Sequence, residues 1–157
     1  MNINVFEQFN KDWALVTAGD IDSFNTMTIS WGTLGTIWNK DVCIVFVKPC
    51  RYTHEFMEKN DYFTVSFFEE EYKETLGLLG RISGRDYDKT KEANLSPIAY
   101  DKAVGFKEAK TTLVLKKIYS QNLDKINMPE DVVNKYYLSE EEHTMYIGEV
   151  VEIIEKH

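Results

Sequence analysis

Residues Phe24–Trp31, with the sequence FNTMTISW, alternate small hydroxyl side chains with large apolar ones. The hydroxyl residues are Thr26, Thr28 and Ser30, and the apolar residues between them are Met27, Ile29 and Trp31. This two-residue period predicts a β-strand with one face in the core. The other face carries hydroxyl groups in place of charges. It could contact a ligand closely, or it could reflect only that threonine is a good strand former.

The rest of the chain contains five more predicted strands and four short helices. The strands are Trp13–Ala18, Val42–Lys48, Tyr62–Phe68, Lys110–Gln121 and His143–Glu155. The helices are Thr53–Asn60, Tyr72–Gly80, Asp86–Ala93 and Pro129–Tyr137. Gly32 and Gly35 are expected to break the strand pattern, and Gly148 is a candidate bulge. Because strands and helices do not alternate regularly, the sequence predicts a mainly β, closed or nearly closed antiparallel barrel.

Length and charge restrict the class of protein. The chain has 157 residues, with 18 Lys and Arg against 26 Asp and Glu, which gives a net charge of −8. We interpret residues 1–157 as a single domain. An acidic surface repels nucleic acid and anionic membranes, and no apolar run reaches the ~18 residues of a membrane span. The N-terminal residues lack an apolar signal core, so a cytoplasmic location is predicted, with Cys43 and Cys50 as reduced thiols.

The usual catalytic and nucleotide-binding motifs are absent from the sequence. It contains no G-x-G-x-x-G, no G-x-x-x-x-G-K-[ST] and no G-x-S-x-G. His54 and His143 are interpreted as ordinary surface or capping residues, and the terminal His157 is expected to be disordered. The 2 cysteines and 3 histidines are too few and too scattered for a zinc site. We therefore assign no catalytic residue and no metal ligand.

Two segments concentrate cationic and hydroxyl groups beside a predicted helix start. They are Lys48–Thr53 (KPCRYT) and Ser83–Lys89 (SGRDYDK). Free backbone N–H groups, the helix dipole, a cation and a hydroxyl would together bind an anion at such a place. The alternative for the first segment is that Thr53 caps the helix and Arg51 pairs with a surface carboxylate. A phosphate dianion would use the cations of both segments if the fold brings them together.

Four short motifs follow one another in the order typical of a known family. They are Asn25–Gly32 (NTMTISWG), Arg51–Thr53 (RYT), Asp61–Ser66 (DYFTVS) and Ser83–Lys89 (SGRDYDK). Together with Phe106–Ala109 and Met145–Glu149, they make nearly the whole chain resemble the flavin reductase-like proteins, especially the flavoredoxin-like branch. The chain departs from many of those relatives at Leu79, where they have a cysteine, and at Thr90, where they have an aromatic residue.

The resemblance implies a six-stranded antiparallel split β-barrel with Greek-key topology and short inserted helices. It also implies a homodimer that binds FMN near the subunit interface. The implied contacts of the flavin ring are Thr26, Met27, Thr28, Ile29, Ser30 and Trp31, through backbone groups and hydroxyls. The implied phosphate contacts are Arg51 and Thr53, with Ser83, Gly84, Arg85 and Lys89 as a second group. Lys89 is expected to contribute less than Arg51, because lysine is a solvated point charge.

Two functions are consistent with this resemblance. In the first, the protein is a flavin reductase in which NADH or NADPH donates hydride to N5 of FMN, and electrons pass onward. In the second, it is an electron carrier that holds FMN without a nicotinamide site, and its acidic surface docks to a redox protein partner. A third possibility is a small barrel that binds an unrelated apolar ligand or a partner chain, and it predicts a colourless protein.

Overall fold

Nine antiparallel β-strands form the framework of residues 1–156, the part of the chain that the computed structural model describes. The strands are β1 (Ala14–Asp20), β2 (Ser23–Ile29), β3 (Gly32–Ile37), β4 (Lys40–Val47), β5 (Tyr62–Phe67), β6 (Pro97–Tyr100), β7 (Ala103–Phe106), β8 (Thr111–Asn122) and β9 (Thr144–Glu155). Seven of them form one sheet in the order β2-β1-β5-β8-β9-β4-β3, and β6 pairs with β7. The mainly β class and the antiparallel sheet are confirmed, while the expectation for His157 lies outside the described residues.

The two edges of the main sheet are consecutive in the chain. β2 and β3 are joined only by Ser30 and Trp31, yet they are not hydrogen-bonded to each other. A sheet whose first and last strands stay unpaired is split along that seam, in agreement with the predicted split barrel. The seam leaves backbone groups of β2 without a strand partner on one side, which is where a flat ligand can approach the sheet.

The predicted number of six strands is wrong, because β3 and the β6–β7 hairpin were not recognised. Gly32 and Gly35 lie within β3, where they pair with Val45 and Val42 of β4. Gly32 is the first residue of β3 and is required there by packing, since a Cβ would lie 2.7 Å from the Phe9 ring. Contact with the Phe9 ring accounts for Gly32, whereas Gly35 has open space beside it, and both still pair with β4.

Five short α-helices interrupt the strands. They are α1 (Val5–Glu7), α2 (Tyr52–Lys59), α3 (Lys73–Arg81), α4 (Lys89–Glu92) and α5 (Glu130–Val132). The first and last continue into π-helical turns at Gln8–Asp12 and Val133–Tyr137. Three predicted helices are confirmed to within about two residues. The fourth, predicted over 86–93, is wrong at its start, because the Asp88 carboxylate accepts a hydrogen bond from the Lys91 N–H at 3.3 Å and caps α4 there.

Two buried clusters fix these elements against the sheet. The larger one lies inside the curved sheet and includes Val16, Val45, Phe63 and Leu113, all 1% exposed or less. The smaller one lies on the opposite face of β1, under α3, and includes Leu15, Leu76, Leu79 and Phe106. These contacts pack α2 against β1 and β2, and α3 against β2. The start of α2, the end of α3 and the loop before α4 are thereby brought to the β2 edge.

A strand irregularity lies beside Gly148, as predicted. Lys117 of β8 pairs with Gly148, whereas Tyr119 pairs with Ile147, so the extra residue is Ile118 on the facing strand. No helix of the described residues is long and apolar enough to cross a membrane.

Candidate functional site

Two adjoining cavities lie at the β2 edge of the sheet. The first, of about 430 Å³, is bounded by β2, the start of α2 and the loop between α3 and α4. We call it the cationic cavity, because its walls include Lys48, Arg51, Arg85 and Lys89. The second, of about 220 Å³, follows β2 from Met27 to Trp31, and we call it the strand cavity. The two share Met27, Lys48 and Arg51 in their walls, so they form one continuous groove.

The structure brings eleven of the twelve predicted site residues to this groove. The cationic cavity is lined by Met27, Arg51, Thr53, Ser83, Gly84, Arg85 and Lys89, among others. The strand cavity is lined by Met27, Thr28, Ile29, Ser30, Trp31 and Arg51, with Phe46 and His143 opposite. Thr26 lines neither of the two. The two predicted anion-binding segments, 30 residues or more apart in the sequence, are therefore neighbours in the fold, as the phosphate hypothesis requires.

The hydroxyl face of β2 is engaged with the protein itself. Thr26 is 1% exposed, and its hydroxyl lies 2.9 Å from that of Thr17 and donates to the Val16 carbonyl at 3.1 Å. The Thr28 hydroxyl donates to the Leu76 carbonyl of α3 at 2.5 Å. The hypothesis that this face presents free hydroxyl donors to a ligand is therefore wrong for both threonines. Strand propensity and contacts with β1 and α3 account for them.

The start of α2 presents an uncompensated cation to the groove. The prediction that Thr53 caps this helix is wrong: α2 begins at Tyr52, and Arg51 occupies the capping position without a side-chain cap. The guanidinium of Arg51 has no hydrogen-bond or ion-pair partner among residues 1–156. Thr53 accepts a hydrogen bond from Asn25 Nδ2 at 2.8 Å, and its own proton stays available. The N–H group of His54 donates to the Arg51 carbonyl at 3.0 Å, which leaves those of Tyr52 and Thr53 at the helix start to face an anion.

The loop between α3 and α4 closes one wall of the cationic cavity by direct packing on β2. Gly84 lies so close to Asn25 that a Cβ would be 2.0 Å from its Oδ1 atom. Arg85 donates to the Cys50 carbonyl at 3.2 Å and to Glu55 at 3.1 Å, and its guanidinium lies 4.9 Å from the centre of the Tyr52 ring. Arg85 therefore ties this loop to α2, and its charge is partly neutralised before any ligand arrives.

Lys89 is a buried cation at the back of the cationic cavity. Its side chain is 7% exposed and donates to the carbonyls of Thr26 at 2.8 Å and Leu79 at 3.1 Å. Burial, and next the positive charge of Arg51, lower the pKa of Lys89 to about 8. The expectation that Lys89 is a solvated point charge is wrong, because it bridges β2 and α3. An ammonium group has three protons, so one remains for a ligand.

The fourth cation of the cationic cavity, Lys48, is paired with a carboxylate. Lys48 forms an ion pair with Glu140, which also lines the cationic cavity. The hydrogen bond and charge of Lys48 lower the pKa of the Glu140 carboxyl, so it is ionised at neutral pH. An anionic ligand in this cavity therefore meets Arg51 first, and it must compete with Glu140 for Lys48.

His143 lines the groove, whereas its sequence context predicts an ordinary surface or capping residue. It lines the strand cavity, with its ring centre 5.2 Å from that of Trp31 and its Nδ1 atom 2.6 Å from the Tyr137 hydroxyl. Burial, followed by the charges of Lys48 and Arg51, lowers the pKa of His143 to about 4, so the imidazole is neutral. Val47 of β4 pairs with Thr144 of β9, and this pairing brings His143 close to Lys48. Knowledge of the register between these two predicted strands would have revealed that His143 lies near Lys48.

His54 lies outside the groove. Its Nε2 atom is 3.0 Å from the Thr144 hydroxyl and 3.6 Å from the Glu58 carboxylate, so its role is in packing α2 against β9. Among the residues that the structure describes, no three or more His, Cys, Asp or Glu side chains are grouped as metal ligands.

The groove, its cations and the seam beside β2 coincide with a sequence match to a known family. The family model described as "Flavin reductase like domain" matches residues 6–157. The chain belongs to the flavin reductase-like family. This confirms the resemblance drawn from the short motifs, and membership supports flavin binding and flavin-related oxidoreductase chemistry. Among curated protein sequences, none matches this chain.

Solved structures with the same fold show how this family member is built. Flavoredoxin from Methanosarcina acetivorans superposes with a TM-score of 0.75 at 18% identity, covering 100% of this chain and 75% of that one. An FMN-binding protein from Thermus thermophilus gives 0.75 at 19% identity, with 100% and 78% covered. An NADH:FAD oxidoreductase from Streptomyces globisporus gives 0.69 at 15% identity, with 92% and 74% covered. At these identities the likeness establishes the split-barrel fold.

Proposed function

We propose that the protein binds FMN in the groove and acts as an NAD(P)H-dependent flavin reductase. The observation that carries the proposal is the continuity of the two cavities across Arg51: this unpaired cation borders both the cationic cavity and the cavity that follows β2. A ligand with a dianionic phosphate at one end and a planar ring at the other fits that order. The FMN-binding neighbour from Thermus thermophilus and the family match support the same ligand.

The donors of the cationic cavity fit a phosphate group. Arg51 would supply a charge-assisted hydrogen bond, Thr53 a hydroxyl proton, and the first N–H groups of α2 a partial positive charge. Lys89 would add its third proton from the back of the cavity. Ser83 and Gly84 would supply the wall that keeps the phosphate against α2. In a protein with a net charge of −8, this local concentration of cations is what makes anion binding possible.

The strand cavity fits a planar ring system. Its walls are Met27, Ile29 and Phe46, with Trp31 and the neutral His143 at one end. When bound, FMN supplies the redox chemistry, and the protein orients the ring and excludes water. The unpaired edge of β2 offers backbone donors and acceptors to the polar rim of the ring. The hydrogen bond from Tyr137 orients the neutral imidazole of His143 beside Trp31 in the wall of the cavity.

The alternative function is that of an electron carrier without a nicotinamide site. The likeness to a flavoredoxin supports it, as does the acidic surface, which would dock to a basic redox partner. The likeness to an NADH:FAD oxidoreductase supports the reductase. We propose the reductase first, because Trp31 is 41% exposed at the open end of the strand cavity and leaves room for a second ring to stack.

The absorption spectrum of the purified protein tests flavin binding. We expect bands near ~375 and ~450 nm to survive desalting after FMN is added, and NADH or NADPH to bleach them. A colourless protein that cannot retain FMN would exclude both functions. Retained FMN that nicotinamide does not bleach, but that a chemical reductant does, would identify the electron carrier. Tyr119→Ala, on β8 away from the groove, is the control variant and should match the wild type.

Cys50 offers a second test, of where FMN binds. Cys50 is exposed in the cationic cavity, whereas Cys43 is fully buried and burial raises its thiol pKa. We expect a thiol-reactive disulfide reagent to label Cys50 alone, and FMN at about ten times its Kd to slow labelling about tenfold. The Cys50→Ser variant should lack the fast-reacting thiol. An unchanged labelling rate with FMN bound would place the cofactor elsewhere.

We also propose that the protein is a cytoplasmic homodimer. Phe6, Ile126 and Leu138 are 87%, 84% and 73% exposed, and a partner chain that covered them would remove apolar surface from water. Light scattering during the desalting step reports the molar mass, and the mass of a single chain would contradict the homodimer.

A further inference from the structure

One acidic side chain, that of Glu140, lies among the cations of the cationic cavity. It belongs to residues 138–142, which join the helical turn that ends at Tyr137 to β9. The hydrogen bond and the charge of Lys48 are the main causes that lower the pKa of Glu140, and the charge of Arg51 adds to them. The Glu140 carboxylate is therefore an oxyanion held by the same cations that would hold the phosphate of a ligand.

The segment that carries Glu140 is fixed at its two ends and at one point between them. Tyr137 is buried at one end, and at the other the His143 carbonyl accepts a hydrogen bond from the Leu123 N–H at 3.0 Å. Between these ends, the contact of Glu140 with its lysine partner is the one hydrogen bond that residues 139–142 make within the described part of the chain. Loss of this contact would release the segment without breaking another hydrogen bond.

The two partners of this ion pair differ in exposure, so one of them can leave more easily. The Lys48 side chain is 19% exposed and belongs to the cavity wall, whereas that of Glu140 is 60% exposed. An ion pair this open to water is weak, because solvent competes for its charges. A phosphate dianion carries more charge than a carboxylate and has three strong acceptor oxygens. It should therefore displace Glu140 from Lys48, and the released carboxylate would be hydrated by solvent.

We propose that Glu140 is an internal competitor for the phosphate of the ligand. In the free protein it occupies Lys48. When a phosphate dianion enters the cationic cavity, Lys48 exchanges the carboxylate for the phosphate, and residues 138–142 move away from the cavity. The inference rests on the proposed FMN function and adds a control of ligand affinity. Riboflavin, which has the ring system and no phosphate, leaves the ion pair intact.

Glu140→Gln tests the competition through the affinity for FMN. Glutamine keeps the shape of the side chain and removes its charge, so Lys48 becomes available to the ligand. We expect the Kd for FMN to fall by about two- to fivefold, the range typical of exposed ion pairs, and the Kd for riboflavin to stay unchanged. Titrations at about 0.15 M salt screen distant surface charges. An unchanged Kd for FMN overturns the proposal.

Glu141→Gln is the matched control for this titration. Glu141 is the exposed neighbour of Glu140, lines neither the cationic cavity nor the strand cavity, and has no ion-pair partner in the described part of the chain. Its substitution removes the same charge from the same segment and should leave the Kd for FMN at the wild-type value. An equal gain in both variants would reflect the net charge of the segment and overturn the proposal.

Lys48→Met separates direct competition from repulsion at a distance. In a Lys48→Met background the ion pair does not exist, so adding Glu140→Gln should no longer change the Kd for FMN. A gain of the same size in this background would mean that Glu140 only repels the phosphate through space, and it would overturn the proposal.

Movement of the segment gives a readout that does not depend on affinity. A spin label at Ser139→Cys, in the Cys50→Ser background, reports on residues 138–142 alone, because Cys43 is fully buried. We expect FMN, and inorganic phosphate at matched ionic strength, to increase the mobility of the label, and riboflavin to leave it unchanged. Unchanged mobility with FMN bound overturns the proposal. If the wild type retains no flavin, the proposed function fails, while increased mobility in inorganic phosphate would still support the exchange and unchanged mobility would overturn it.

Discussion

The Arg51→Ala variant is expected to bind FMN roughly ten- to 150-fold more weakly than the wild type, a loss of about 1.5–3 kcal/mol. Arg51 is the cation that the structure leaves without an internal partner, and it lies where the cationic cavity and the strand cavity meet. The neighbouring cations cannot fully replace that charge-assisted hydrogen bond, since Arg85 is paired with Glu55, Lys48 with Glu140, and Lys89 donates to two carbonyls. Titration of apo-protein with FMN, followed by flavin fluorescence, gives the two Kd values.

Riboflavin makes this experiment specific for the phosphate. It has the same ring system as FMN and no phosphate, so it should bind the wild type and Arg51→Ala with equal affinity. Arg81→Ala is the matched control, because Arg81 is exposed at the end of α3 and lines none of the cavities described above. The variant should fold normally, as Arg51 makes no hydrogen bond that its loss would break. Equal FMN affinity in Arg51→Ala and the wild type would remove Arg51 from the site.

The mainly β class and most of the residues that line the groove could be predicted from the sequence, because they depend on local patterns, whereas β3, the β6–β7 hairpin and the place of His143 could not. The two-residue period of β2 and the cation–hydroxyl segments at two helix starts are local features, and the fold does place them together. The side-chain contacts between distant elements could not be predicted from the sequence. Whether the Thr26 hydroxyl faces a ligand or Thr17 depends on which strand lies beside β2. That choice is made by long-range pairing, which no short segment encodes.

The two misjudged ionisable residues illustrate the same limit. His143 and Lys89 were assigned by their residue type, as a surface imidazole and a solvated ammonium. In the fold, His143 is placed beside Trp31 by the pairing of β4 with β9. Lys89 is drawn inward because the carbonyls of Thr26 and Leu79 need a donor where α3 meets β2. A short helix start and a single charged residue carry no sign of either contact.

Lys89 should make FMN binding depend on pH. Its pKa is lowered to about 8 by burial first and by Arg51 second, so the free protein loses this proton above pH 8. A bound phosphate dianion offsets both effects and keeps Lys89 charged. We therefore expect the Kd for FMN to rise roughly tenfold between pH 7 and pH 9. The phosphate itself is a dianion throughout this range, since its second pKa is about 6.

Two substitutions at Lys89 separate its charge from its structural role. Lys89→Arg keeps a cation that does not titrate below pH ~12, so FMN affinity should no longer change between pH 7 and pH 9. Lys89→Met removes the donor of two carbonyls that lie at the junction of β2 and α3, and should lower the free energy of unfolding by about 1–3 kcal/mol. Denaturant unfolding measures that loss. A tenfold rise of the FMN Kd that persists in Lys89→Arg would assign the titration to another group.

The free energy of unfolding of the apo-protein should rise as the pH increases above the native-state pKa of Lys89, which is about 8. The pKa of Lys89 is about 8 in the native state and 10.5 in its ordinary state, so the unfolded chain holds the extra proton between these values. The free energy of unfolding rises with pH wherever the unfolded state binds more protons. Below pH ~8 both states hold the Lys89 proton, so the free-energy cost of burying its charge does not change with pH. A neutral amine still has two protons, which suffice for the carbonyls of Thr26 and Leu79. Deprotonation therefore removes the third donor of the site, and FMN affinity falls over the same pH range in which the apo-protein gains stability.

Measurement of the FMN Kd and of the free energy of unfolding from pH 7 to pH 10, on one preparation, tests whether Lys89 causes both changes. An affinity and a stability that rise or fall together would contradict this prediction.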